Sequence, residues 1–321
     1  YMSGSNFQVV VRLRPCGKSV LNDQRIIDVH DDFRTIVIGK EIGAKTSRYP
    51  SYQFAYDRVF DDIASQQLLY QKCVVPLTSA LLKGVHCTIF CYGQTRAGKT
   101  YTLEGSLEHD RRGIIPRVSE VLCEFANSAF TSAAHYGTRV TLKASYVQVY
   151  NETISDLLSA GHHNMKVVED AEKGTFIAGL TYATIRTPND ILTVLKTGKA
   201  NRGVPPNCSK PPDLHTRCHT ILTIYVEQTK PITTRTQSPN KGQTTPKQEV
   251  KVIKSKISFV ELAGSEKIRE GALMSSPSVS RTIEASQNSI STTPSKLSDD
   301  STKIAKAFNS IMTVVAFLSR G

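Results

Sequence analysis

The chain has 321 residues, 39% of them apolar, and a net charge of +12. That length fits one large α/β unit or two modest ones, and the apolar share excludes wholesale disorder. No window approaches eighteen continuous apolar residues, which excludes a membrane-spanning helix of that kind.

Residues 1–6 read as a leftover or disordered start without a secretory pattern. Phe7 to Leu13 reads as a buried strand. Ile26 to Val29 and Thr35 to Ile38 read as short strands in a polar stretch. Ser65 to Leu82 has helical apolar spacing, with a kink expected at Pro76 and an end at Gly84. Val85 to Tyr92 is a continuous apolar run next to glycines, the pattern of a central parallel strand. Thr138 to Tyr150 reads as a long strand. Asn189 to Lys199 reads as a helix capped near Asn189 or Asp190. Ile221 to Val226 and Val250 to Leu262 read as strands, and Ile304 to Leu318 as an amphipathic helix. Two segments lack periodicity. Residues 228–249, rich in Thr, Pro, Lys and Gln, and residues 271–300, rich in Ser and Thr, are expected to be long mobile loops. The alternation of strands and helices points to an α/β fold with helices on both sheet faces.

The charge is unevenly placed. Residues 228–321 hold 14 Lys and Arg against 7 Asp and Glu, a net of +7, whereas the preceding 227 residues hold 26 against 21, a net of +5. A basic last third suits an acidic polymer, whether nucleic acid, an anionic membrane or an acidic protein lattice; it is equally what a solvated basic loop looks like. The seven cysteines are scattered and odd in number, which argues for thiols in a reducing cytosol rather than a disulfide framework.

GQTRAGKT, Gly93 to Thr100, fits the pattern G-x-x-x-x-G-K-[ST], with an apolar strand before it and a helix expected from Lys99. Each residue type has a reason. Gly93 and Gly98 let the backbone turn its N–H groups toward phosphate oxygens. Lys99 brings positive charge to the β and γ phosphates, and the Thr100 hydroxyl is a magnesium ligand. Gln94, Thr95, Arg96 and Ala97 complete the cradle, and Tyr101 follows in a helix whose N-terminus favours an anion. The loop predicts a bound nucleoside triphosphate with Mg2+, but kinases, GTPases and mechanical ATPases all use such a loop.

The flanking residues narrow the choice. VVVRLRP (Val9 to Pro15), YDRVF (Tyr56 to Phe60), TIFCYGQTRAGKTYTLEG (Thr88 to Gly105), RGIIPR (Arg112 to Arg117), SYVQVYNETISDLL (Ser145 to Leu158) and VELAGSE (Val260 to Glu266) follow one another in the order found in kinesin motor domains. The chain resembles that family over residues 7–320. The resemblance implies a P-loop NTPase fold with a central mixed sheet of about eight strands between two helical layers. It implies ATP and Mg2+ as ligands, microtubules (tubulin) as partner, and ATP hydrolysis coupled to movement on them. It implies no nucleic acid partner and no membrane insertion, a place on the cytoskeleton in the cytoplasm (a cilium or flagellum included), and any dimerisation through regions outside this chain.

By the same resemblance, Arg14, Pro15 and Tyr92 would line the adenine pocket. Arg217 in the first switch and Glu266 in the second would form a salt bridge as the site closes. Gly264 would offer its N–H to the γ-phosphate, and Thr216 would join Thr100 at magnesium. A guanidinium facing a carboxylate is a good geometric latch. Tyr56 to Phe60 would form the turn before the first long helix.

Several positions depart from the family. The first switch reads HTRCH, His215 to His219, after a loop holding Pro211 and Pro212, which restrict its motion. Glu261 stands where an aspartate is usual, and Ala305 where an asparagine belongs to the network around the attacking water. Phosphoryl transfer depends on positioning and charge, so these changes threaten hydrolysis more than binding. The alternative they raise is a non-motile, structural microtubule-binding protein that holds nucleotide but splits it poorly. The resemblance also predicts that residues 7–321 form one motor domain, truncated after its relay-type helix, in which strand 7–13 is not paired directly with strand 85–92.

Overall fold

The computed structural model describes residues 7–15, 27–39, 51–106, 108–130, 137–171, 174–203, 217–237 and 244–266. The expected loop at 271–300 and helix at 304–318 lie outside them.

The main sheet is built around β7 (Arg139–Tyr150), β12 (His219–Gln237) and β13 (Thr244–Glu261), long neighbours in antiparallel register. β11 (Ala183–Ile185) and β8 (Thr153–Asp156) add to β7, and β6 (Cys87–Cys91) pairs in parallel with β13. The result is a mixed six-stranded sheet in the order β11-β7-β12-β13-β6, with β8 beside β7. β1 (Val10–Arg12) pairs in parallel with β5 (Arg58–Phe60) rather than with β6. β2 (Ile27–Val29), β3 (Thr35–Ile38) and β4 (Tyr52–Ala55) form a small antiparallel sheet, and β9 (Val167–Asp170) pairs with β10 (Gly174–Ile177).

Period-two alternation decides what the sheet buries. Leu142, Ala144 and Tyr146 of β7 lie in register with Val226, Ile224 and Leu222 of β12, and those with Ser255, Ile257 and Phe259 of β13. All nine are buried. Helices α2 (Val75–Leu82), α4 (Ile114–Ser128) and α5 (Pro188–Asn201) supply the other half of this core through Leu81, Ile114, Val118, Leu122, Ile191 and Val194. The backbone carbonyl of Leu81 accepts a 2.8 Å hydrogen bond from Ser255, which satisfies a hydroxyl inside the apolar layer. α5 approaches closely enough that a Cβ at Gly198 would sit 2.2 Å from the Tyr146 ring. No described helix is long and apolar enough to cross a membrane.

Six sequence expectations change. Residues 228–237 and 244–249 are strand rather than loop, in β12 and β13, whose eighteen register pairs extend to Gln237↔Thr244; the rest of that expected loop, 238–243, lies outside the described residues. Threonine-rich sequence is compatible with strand, and the prolines obscured that. The strand at 7–13 is only three residues long and half-exposed, because β5 is its one neighbour among the described residues. Tyr56 to Phe60 contains β5 rather than a plain turn. The 65–82 helix starts as α1 (Gln66–Leu69) on a Ser65 cap, widens to π pitch over Tyr70–Val74, and restarts as α2 with Pro76 in its first turn, where no helical N–H is needed. α5 is capped by Thr187, whose own N–H and that of Arg186 donate to the Asp190 carboxylate at 2.8 Å each. β6 is buried on one face only: Cys87 is covered and Phe90 is 44% exposed. Helix α4 has no counterpart among the elements read from the sequence.

Candidate nucleotide site

Strands β6 and β13 are parallel, so their C-terminal ends lie side by side, at Cys91 and Glu261. The Leu262 N–H continues the ladder to the Cys91 carbonyl at 3.1 Å, and Ser265 N–H reaches the Gly93 carbonyl at 3.3 Å. The sheet thus holds the segment Glu261 to Glu266 against the loop Gly93 to Thr100. Binding crevices form at such strand ends in α/β sheets.

The loop has the conformation its glycines anticipate. Gly93 and Gly98 have φ of 150° and 104°, and Arg96 adopts 66° between them. A Cβ at Gly93 would come within 3.2 Å of the Ala97 methyl. Ala97 N–H closes a turn on the Gln94 carbonyl at 3.1 Å. Helix α3 (Lys99–Leu103) then begins at Gly98. Lys99 Nζ donates to the Gly93 and Gln94 carbonyls at 2.7 and 2.9 Å. Burial lowers its pKa, against the opposing pull of Glu261 and Glu266.

Two carboxylates face the loop. The Glu266 carboxylate accepts the Thr95 N–H at 2.9 Å and the Thr95 hydroxyl. Partial burial works against that carboxylate, but the Thr95 bonds outweigh it and hold its pKa below the usual glutamate value. The Thr100 hydroxyl donates to Glu261 Oε1. Gly264 lies in the same contact, where a Cβ would be 2.3 Å from Glu266 Oε1 and 2.5 Å from Thr95 Oγ1.

The expected latch between Arg217 and Glu266 is not formed. Glu266 is held by Thr95, and Arg217 Nη1 is buried without a hydrogen-bond partner among the described residues. The two donors on the carboxylate are the Thr95 N–H and hydroxyl instead. Arg14 reaches the loop itself, donating to the Arg96 carbonyl, and Pro15 beside it is exposed. Tyr92 is 56% exposed at the mouth of the loop. Tyr101 packs beneath the Arg12 guanidinium, 5.3 Å from its ring centre. Thr216, His215 and Ala305 lie outside the described residues.

The chemistry of these groups fits a magnesium–triphosphate. The Thr95 N–H already holds an anionic oxygen, and Thr100 and Glu261 bring hard oxygen donors together beside an ammonium. Among the described residues, no cluster of three His, Cys, Asp or Glu competes for a metal.

Sequence reasoning passed over a second layer behind Glu261. Arg202, just past α5, lies 3.6 Å from Glu261 Oε2 and 3.9 Å from Glu104 Oε1. It donates to the Tyr146 hydroxyl at 2.7 Å and to Thr220 at 3.5 Å. Lys199 pairs with the other Glu104 oxygen. Burial pulls the Arg202 pKa down, but Tyr146, Glu261 and Glu104 outweigh it. Burial raises the Glu104 pKa, against the opposing pull of Lys199 and Arg202. His219, at the start of β12, accepts the Ala263 N–H at 3.1 Å on Nδ1, and Cys218 just precedes the strand. Burial depresses the His219 pKa, which favours the neutral ring that accepting the Ala263 N–H requires. A charged residue whose side chain turns inward leaves no local pattern, so only the fold could reveal these.

The comparisons with known proteins agree with this geometry. The family model described as "Kinesin motor domain" matches residues 12–315. The chain is 31% identical over 293 residues to the human kinesin-1 heavy chain, covering 89% of this chain and 27% of that protein. It is 28% identical over 285 residues to the kinesin-like protein KIN-5C of Nicotiana tabacum, covering 84% and 26%. The chain therefore spans about a quarter of the length of these relatives. Among solved structures, one titled "Structure of a fast kinesin: Implications for ATPase mechanism and interactions with microtubules" is similar at a TM-score of 0.65 and 27% identity, covering 86% of this chain and 71% of that one. A phosphate loop seated beside a second-switch segment, on a mixed sheet and in this order of motifs, has one reading: the chain belongs to the kinesin motor domain family.

Proposed function

We propose that the chain is an ATP-dependent microtubule motor domain, in which ATP hydrolysis is coupled to microtubule binding and movement. The observation that carries this reading is the direct seating of Glu261 to Glu266 on the phosphate loop, with Ser265 bonded to Gly93, Glu266 to Thr95 and Glu261 to Thr100. A segment so placed must move when a γ-phosphate enters, and that displacement can be passed along the chain to a distant surface.

Residue roles follow from position. The backbone of Gly93 to Thr100 and the Lys99 ammonium would hold the β and γ phosphates. Lys99 must exchange its two carbonyl partners for phosphate oxygens to do so. Thr100, with Thr216, would ligate Mg2+, and Glu261 would orient a water on it. A metal held there would supply positive charge to the phosphate oxygens. Arg14, Pro15 and Tyr92 would border the adenine. Glu266 would leave Thr95 and meet Arg217 as the site closes, with the Gly264 N–H turned to the γ-phosphate. Burial of an unpartnered Arg217 nitrogen supports that exchange, because a carboxylate would satisfy it.

A second reading is a non-motile microtubule-binding protein of the cytoskeleton that binds nucleotide and hydrolyses it poorly. Glu261 favours it, since its longer side chain takes up the Thr100 hydroxyl directly. ATP turnover with and without microtubules separates the two. Stimulated turnover is expected. No stimulation, with nucleotide and microtubule binding both retained, overturns the motor reading in favour of the second.

A further inference from the structure

Just past β13, four consecutive backbone N–H groups lie beside the phosphate loop, on Leu262, Ala263, Gly264 and Ser265. Leu262 N–H donates to the Cys91 carbonyl at 3.1 Å, and Ser265 N–H to the Gly93 carbonyl at 3.3 Å. Ala263 N–H donates to Nδ1 of His219 at 3.1 Å. The remaining N–H, on Gly264, has no hydrogen-bond partner among the described residues. Gly264 is buried, and a Cβ there would stand 2.5 Å from Thr95 Oγ1, so the residue lies directly against the loop. A buried N–H needs an acceptor, and an entering phosphate oxygen is one.

Two of the three acceptors in use are backbone carbonyls, from the end of β6 and the loop after it. The third is a side chain from another element. His219 opens β12 and lies 44 positions from Ala263 in the chain. Strand register brings them together, because Thr220 pairs with Glu261 and the residue before Thr220 then lies beside the chain just past Glu261. With the ring holding Ala263 and the loop holding Ser265, the peptide unit that carries the Gly264 N–H is fixed from both sides. Glycine would otherwise leave that stretch with more conformational freedom than any other residue. His219 also follows Arg217 by two positions, and Arg217 Nη1 is buried without a partner among the described residues. The imidazole therefore ties the element bearing Arg217 to the one bearing Gly264 and Glu266.

Resting on the nucleotide-site reading above, we propose that His219 is a positioning residue for recognition of the γ-phosphate: its Nδ1 holds the Ala263 amide and so sets the Gly264 N–H for the terminal phosphate. Loss of this acceptor loosens the donor for the third phosphate and leaves the cradle for the second, Gly93 to Thr100, as it is.

The test compares ADP with a non-hydrolysable triphosphate, the β,γ-imido analogue of ATP, each displacing a fluorescent ADP analogue from the whole chain in Mg2+ buffer. His219→Leu keeps comparable bulk without the acceptor. It should weaken the triphosphate relative to ADP by about tenfold, the low end for one hydrogen bond to a charged group, with ADP itself within about twofold of the parent. His219→Asn places its amide oxygen as many bonds from Cα as Nδ1, and should bring the ratio back to within about threefold of the parent. A role in stability alone would weaken both nucleotides alike. An unchanged ratio in His219→Leu, equal weakening of both nucleotides, or no recovery in His219→Asn overturns the proposal. If His219→Leu does not fold, His219→Gln decides instead: its oxygen lies one bond further out, a shift of about threefold is expected, and no shift overturns the proposal. A parent chain that binds neither nucleotide overturns the nucleotide-site reading and the proposal with it, whereas a parent that binds both while the ratio stays fixed in the variants overturns the proposal alone.

Discussion

Glu266 occupies the phosphate loop through two bonds from Thr95, and a triphosphate needs the same N–H. Replacing Glu266 with Ala removes the competitor. The residue is exposed, so its two charge-assisted bonds count at the low end, together about 1–2 kcal/mol. A competing internal contact weakens apparent affinity by the fraction of molecules in which it is open. Releasing 1–2 kcal/mol should therefore tighten nucleotide binding by about 5- to 30-fold. The same residue is the proposed partner of Arg217 in the closed site, so turnover should fall by about a hundredfold even as affinity rises. Titration with a fluorescent ADP analogue in Mg2+ buffer measures the first effect, and steady-state phosphate release the second. Affinity that is unchanged or weaker in Glu266→Ala would refute the competition, whatever happens to turnover.

Arg202→Met should lower stability by about 3–5 kcal/mol, because Glu104 and Glu261 are left facing each other with Lys199 alone to compensate; a thermal melt within a degree of the parent would show that the cluster contributes nothing. Glu261→Asp should raise Mg2+-supported turnover by about tenfold, since the shorter side chain cannot take the Thr100 hydroxyl directly and leaves it for the metal; equal turnover would mean that the extra methylene is harmless. His219 is held neutral by burial, with its pKa below the ordinary 6.5, so the unfolded chain binds its proton more readily. Its contribution is present above about pH 6.5 and is lost as pH falls below that value. The melting temperature of the parent should thus drop more steeply from pH 7 to pH 5 than that of His219→Gln, and parallel profiles would contradict this.

What the sequence disclosed is what depends on local pattern. The glycines at 93 and 98, the lysine and the threonine stand where φ, charge and metal affinity require them, so the loop could be read without coordinates. The long strand at 139–150 and the helix at 188–201 follow from apolar period and needed only their ends adjusted. The strand stretches at 230–237 and 244–251 were hidden because Pro231, Pro246 and several threonines look like a loop, and only register with a partner strand shows otherwise. Helix α4 was hidden by Pro116, which its first turn tolerates because no helical N–H is needed there. Arg202, Glu104 and His219 were hidden for a different reason. Their importance lies in what they face, and Arg202 faces a carboxylate 59 positions away, at 261.

The choice of partner by Glu266 has a further consequence for the order of events. β6 and β13 bind the phosphate loop and the Glu261 to Glu266 segment to adjacent strand ends, so neither can shift without the other feeling it. Glu261 is anchored from behind by Arg202 and contacts Thr100 in front, whereas Glu266 is exposed and, among the described residues, hydrogen-bonded to Thr95 and its own backbone, with Lys99 attracting it. The two ends of the segment therefore differ in freedom. On the proposed reading, a phosphate entering the loop would displace Glu266 first, because that end would lose two exposed bonds and disrupt no buried charge. Glu261 can follow only if Arg202 keeps a partner, and Glu104 supplies one 3.9 Å away. On the proposed reading, sensing of the nucleotide would begin at Glu266 and reach the buried cluster second, and the glutamate at 261 would act on the later step, not on the capture of the triphosphate.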